Sequence, residues 1–159
     1  LAASVVQLAP WSWAATAGTA AASSSFMALS QYLTARNDLS AKLGARMQAA
    51  LQALDSQFSA QADALWSWIQ SQNIALDQLH ARLKAEKPDL AAVPAQVMQV
   101  WYLGIAGSGA HTRVVAYEFA LNAQTVSDKL KPPTYSYGVY GSWTANPTKF
   151  NLQRIPVPA

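Results

Sequence analysis

Proton transfer at neutral pH needs a titratable side chain beside a nucleophile, and this sequence offers two histidines for it, His80 and His111. His80 stands beside Leu79 in a helical pattern, and neither i−4 nor i+4 carries a second His or a carboxylate to complete a metal pair. His111 follows a glycine cluster and has the chemistry of a general base. A hydrolase built on His111 and Glu118 would still need a nucleophile on a sharp turn, and none is recognisable nearby. The cluster itself, Gly104-Ile105-Ala106-Gly107-Ser108-Gly109-Ala110, resembles a phosphate loop only on the surface. It follows a helical pattern rather than a strand, and it lacks the lysine and the helix opening that phosphate recognition uses. The eight acidic residues form no obvious pair: Asp55 and Asp63 are not evidently together, and Asp128 with Lys129 reads as a helix-end charge pair. The sequence therefore predicts no catalytic, cofactor-binding or metal-binding residue. A binding or structural role follows by elimination.

Composition points the same way. There are no cysteines among the 159 residues, which excludes disulfides, CxxCH haem attachment, iron–sulfur ligation and thiolate zinc sites within this chain. Charged residues make up 12%, about half of the roughly 25% usual in soluble domains, while the hydrophobic fraction is 52%. A chain with so few charges is expected to hide much of its surface against something else. The net charge is +3 and the eleven Lys and Arg are scattered, so no basic stripe suggests nucleic acid.

The elements that would have to carry any site are helical. Phe26, Leu29, Tyr32 and Leu33 share one face, and Asn37 or Asp38 is the expected cap of the next helix. Leu39, Leu43, Met47, Ala50, Leu51 and Leu54 form that helix's apolar stripe, with Gly44 inside it for close packing. Further stripes run through Phe58, Leu65, Trp66 and Ile69, and then through Ile74, Leu76, Leu79 and Leu83. Pro88 and Pro94 mark a loop. A helix from Ala95 then carries Val97, Val100, Trp101 and Leu103, and Thr112 to Leu130 is expected to form a last helical stretch. No period-2 alternation predicts a sheet. The fold class expected is all-α, one helical domain over residues 23–131.

Two flanking segments differ. Residues 1–22 carry no charge and end in small residues, with Ala15-Thr16-Ala17 as a candidate cleavage site, so they read as an export signal whose basic part lies further upstream. Residues 132–159 are expected to form an extended arm, since their first part cannot become a helix. The stretch Pro132–Pro147 packs four aromatics, three prolines and two glycines into sixteen residues with no charge. Its rings are costly unless covered by the chain's own core or by another protein.

The blocks around these segments resemble a known family, the small subunits of membrane-bound, FAD-dependent sugar and polyol dehydrogenases. Trp101, Tyr102 and Gly104 fit an aromatic-Tyr-x-Gly step, and Tyr117, Glu118, Ala120 and Leu121 fit a Tyr-Glu-x-Ala-Leu element. Ser127 and Asp128, Thr134 and Tyr135, and Trp143 with Pro147 fit the later ones, while "FMALSQYLTARNDLSAKLG" resembles the opening block. Residues 55–95 carry no such support. Ser136 stands where many members have Cys, which removes a covalent bridge to a partner, and Gly141-Ser142 replaces a bulky aromatic before Trp143.

The resemblance implies a complex. A large flavoprotein holds FAD, a multihaem cytochrome c subunit with haem c passes electrons to ubiquinone, and the small subunit carries neither group. It implies twin-arginine export to the periplasmic side of the bacterial inner membrane, with the small subunit accompanying its partner. Trp101, Tyr102, Tyr117, Glu118, Asp128, Tyr135, Tyr137, Tyr140 and Trp143 are then the expected partner-binding residues. The rival expectation is a free-standing periplasmic carbohydrate-binding module that stacks sugars on the tail aromatics.

Overall fold

The computed structural model of the protein describes residues 21–127. The export-like residues up to Ala20, together with Asp128, Tyr135, Tyr137, Tyr140 and Trp143, lie outside the described residues. Ser23 starts α1 (Ser24–Thr34): its hydroxyl accepts the Phe26 N–H at 3.2 Å, one of the donors a helix start leaves without a partner. Ser40 does the same for α2 (Ala41–Leu54), accepting the Leu43 N–H at 3.3 Å. Asn37 and Asp38 therefore do not cap α2. Asp38 is instead held by the Arg36 guanidinium at 2.8 and 2.6 Å, which keeps its carboxyl below the usual range.

Helix α3 (Phe58–Gln72) ends at Asn73, whose left-handed φ of 46° lets the Ile74 N–H reach back to the Ile69 carbonyl at 3.1 Å. That turn returns Ile74 to the core before α4 (Leu76–Glu86) begins. Leu76, expected on the buried stripe, is 43% exposed, because it opens α4 before the face defined by Leu79 and Leu83 reaches the core. Pro94 does not mark a loop. It occupies the first turn of α5 (Val93–Leu103), where a missing N–H costs nothing.

The core joins one face from each helix. Phe26 and Phe58 meet edge to face with ring centroids 6.1 Å apart, in one buried cluster with Leu29, Met47, Leu65, Val93 and Val97. Burial of each such side chain contributes about 1.5–3 kcal/mol. Gly44 is needed where α2 meets α1: a Cβ there would run into the Met27 sulfur.

The expected last helix is broken. Arg113–Val114 forms a short strand, β2, antiparallel to β1 (Ile105–Ala106), with Ile105 opposite Val114. Tyr117–Phe119 is a 3-10 turn, and only Leu121–Thr125 is α-helical, as α6. The reason is tertiary. The Gly104 carbonyl accepts the N–H groups of both Val115 (2.8 Å) and Ala116 (3.2 Å), which satisfies outside a helix the donors a helix would use. Two-residue strands are too short to show alternation in sequence.

Candidate partner-binding surface

The site grows from the end of α5. Helical spacing sends Val97, Val100 and Trp101 inward, and Trp101 is 1% exposed. Trp101 packs in the core, and its indole N–H is buried without a hydrogen-bond partner among the described residues. Tyr102 is half-buried. Leu103 turns outward and is 53% exposed. Gly104 then ends the helix with φ 69°, and the chain folds back through the hairpin. The Gln99 side-chain amide donates to the Gly107 carbonyl at 2.8 Å and pins the hairpin turn to α5.

This return brings the two motif elements together. A Cβ on Gly104 would lie 3.0 Å from the Tyr117 nitrogen and 3.1 Å from the Ala120 methyl. Tyr117 has a left-handed φ of 46° and is 54% exposed, while Ala120 and Leu121 are buried. Glu118 is half-exposed beside it.

Around Tyr117 an open apolar groove of about 410 Å³ is lined by Leu103, Ile105, Val114, Asn122, Ala123 and Val126 as well. Among the described residues five large hydrophobics are exposed, and four of them, Leu103, Val114, Tyr117 and Val126, line this one groove. Clustering of that kind marks a binding surface, whereas single exposed apolar residues do not. Apart from Tyr117, sequence reasoning missed the lining. Leu103 read as part of a buried stripe, and Val114 and Val126 read as members of a helix that does not form.

His111 lines a separate cavity of mixed character, about 530 Å³, in which Asp55, Gln96, Gln99, Ser108 and Arg113 stand beside Leu51, Ala53 and Leu54. Glu118 is not among its walls. His80 is exposed on α4. No group of three or more His, Asp or Glu is placed to hold a metal ion among the described residues.

The aromatic-Tyr-x-Gly step, the Tyr-Glu-x-Ala-Leu element and the corner they build raise one question, whether the whole chain shares their origin. The sequence profile of the family described as membrane bound FAD containing D-sorbitol dehydrogenase matches residues 1–147. The chain belongs to that family. The match runs through residues 55–95, where no single motif stands out. The D-sorbitol dehydrogenase family is that of a membrane-bound, FAD-dependent oxidoreductase complex acting on a polyol. No curated protein matches the chain. No helix among the described residues is long and apolar enough to cross a membrane.

The Gly104–Gly109 cluster does not have the geometry that holds the pyrophosphate of a flavin dinucleotide. The Gly104–Gly109 cluster leaves a helix and enters a 3-10 turn, so no long helix N-terminus faces it. Its turn is closed on itself, because a Cβ on Gly107 would sit 2.7 Å from the His111 carbonyl oxygen.

Proposed function

We propose that this chain is the non-catalytic small subunit of a membrane-bound, FAD-dependent sugar or polyol dehydrogenase. It binds the flavoprotein large subunit and supports its maturation, stability and export. The observation that carries this reading is the gathering of exposed Leu103, Val114, Tyr117 and Val126 on one corner of a chain poor in charge. An apolar corner suits a permanent partner, since obligate interfaces resemble a divided core and commonly exceed ~2,000 Å². Residues 23–131 form the helical body, residues 1–22 serve export, and residues 132–159 add a partner-binding arm. Tyr102, Tyr117, Glu118 and Asp128 contribute from the body, and Tyr135, Tyr137, Tyr140 and Trp143 from the arm, as ring anchors with little rotamer entropy to lose.

In this reading FAD sits in the large subunit, haem c in a cytochrome subunit, and electrons leave to ubiquinone on the periplasmic side of the inner membrane. Partner binding stabilises the native large subunit by mass action. The test is co-expression of this chain with its large subunit, followed by affinity purification and a flavin absorbance spectrum. Co-purification of a flavoprotein supports the role. A stable, flavin-free monomer recovered alone from the same cells overturns it.

A free-standing carbohydrate-binding module keeps one observation in its favour, the cavity where Gln96, Gln99, Asp55 and His111 stand beside Leu51 and Leu54. Calorimetry with D-sorbitol and the purified chain separates the two readings, because the small-subunit reading expects no heat of binding.

A further inference from the structure

We propose that the cavity between the end of α2, the first half of α5 and the hairpin turn binds a small zwitterion, an α-amino acid with an aliphatic side chain. Two observations ask for such an occupant. The first is a buried acceptor: Gln96 lines the cavity, and its Oε1 is buried with no hydrogen bond among the described residues. An acceptor withdrawn from water and left unpaired is costly, so it marks a place that a ligand N–H can fill. The second is charge. Asp55 and Arg113 both line the cavity, whereas the ion pairs among the described residues are Arg36–Asp38 and Arg82–Glu86. Opposite charges therefore border one space of about 530 Å³ without neutralising each other.

An occupant with a single charge would satisfy one of them and be repelled by the other. A zwitterion answers both. Its carboxylate suits the Arg113 guanidinium, whose planar fork matches two carboxylate oxygens. Its ammonium suits the Asp55 carboxylate and the Gln96 Oε1. Asp55 is already oriented, because its Oδ1 accepts the Gln57 N–H at 2.8 Å. Leu51 and Leu54 add an apolar wall for an aliphatic side chain. The walls are also preformed. The Gln99 amide donates to the Gly107 carbonyl at 2.8 Å, and a Cβ on Gly107 would stand 3.0 Å from Leu54 Cδ1. A turn fixed to both helices has little freedom to lose when a ligand enters. This site is separate from the apolar groove and does not depend on the small-subunit role.

The experiment is calorimetry on the full chain as purified from co-expression with its large subunit, with L-leucine as the probe. Glycine lacks the aliphatic part, isocaproate lacks the ammonium, isoamylamine lacks the carboxylate, and D-sorbitol lacks both charges. Two variants remove one charge each: Arg113→Met on the exposed strand β2, and Asp55→Asn, which keeps an oxygen for the Gln57 amide. The expected result is saturable heat with L-leucine, weaker binding of glycine, and none of D-sorbitol. Isocaproate, isoamylamine and each variant should bind about tenfold more weakly or worse, the scale of one lost charge-assisted hydrogen bond. No saturable heat from L-leucine at millimolar concentration would overturn the proposal. Isocaproate or isoamylamine binding as well as L-leucine would overturn it too, since one charge would then suffice. Full affinity in either variant would place the binding elsewhere and sink it as well. Flavin co-purification, read in the same samples, reports on the small-subunit role independently.

Discussion

Gly104 closes α5 directly against the main chain of Tyr117, so near that a Cβ on Gly104 would stand 3.0 Å from the Tyr117 nitrogen. That approach lets one carbonyl, Gly104 O, hold both Val115 and Ala116, and it creates the corner on which the groove lies.

Replacing that glycine tests the corner. Gly104→Ala combines a left-handed φ, about 1–2 kcal/mol for an L-residue, with overpacking of about 1–3 kcal/mol, and Ala120 is too buried to yield. Gly109→Ala has the same backbone problem at φ 55° but open space around it. The expected order of stability in urea unfolding is wild type, then Gly109→Ala about 1–2 kcal/mol less stable, then Gly104→Ala lowest. Equal losses would show that the Gly104–Ala120 approach contributes nothing.

The groove and the core should separate two kinds of loss. Val114→Asp alters a side chain that is 65% exposed and should change stability by no more than about 0.5 kcal/mol. It should nevertheless reduce the flavoprotein recovered with the chain, by about tenfold for each 1.4 kcal/mol of binding removed. Trp101→Ala, by contrast, should cost about 3–5 kcal/mol of folding stability, as for other fully buried rings. Circular dichroism melts alongside pull-down yields distinguish the two outcomes.

Tyr32 gives a pH signature. Its hydroxyl donates to the Ile74 carbonyl at 2.9 Å, and burial, then the Asp77 charge, raise its pKa above the ordinary 10.0. The folded state therefore binds the proton more tightly than the unfolded one. The resulting stability is fully present below pH 10 and is lost as pH rises through the folded pKa. Stability measured from pH 8 upward should fall less steeply in Tyr32→Phe than in wild type. Parallel curves would rule out this contribution.

Neither histidine is given a catalytic part. His111→Ala and His80→Ala should each leave the turnover of the assembled dehydrogenase unchanged within assay error. A hundredfold fall in kcat for His111→Ala, the scale of a lost general base, would bring the cavity beside Arg113 into the reaction.

Much of this protein was legible in its periodicity. Phe26, Leu29, Leu43, Met47, Leu51, Phe58, Leu65, Ile69, Leu79, Leu83, Val97, Val100 and Trp101 are all buried on the helix faces their spacing predicts. An apolar stripe at helical spacing has one way to leave water, and that is local information. The motifs around Trp101 and Tyr117 likewise identified the family before any coordinates were needed.

The corner was decided elsewhere. Nothing in "TRVVAYEFALN" says that a carbonyl eleven and twelve residues upstream, at Gly104, will take the amides of Val115 and Ala116. The sequence shows that Val114, Tyr117 and Val126 are apolar, and on a continuous helix they would fall on no particular surface. Hydrogen bonds and close approaches between distant residues depend on where the chain returns. Only the tertiary structure could turn Leu103, Val114, Tyr117 and Val126 toward one another on one corner.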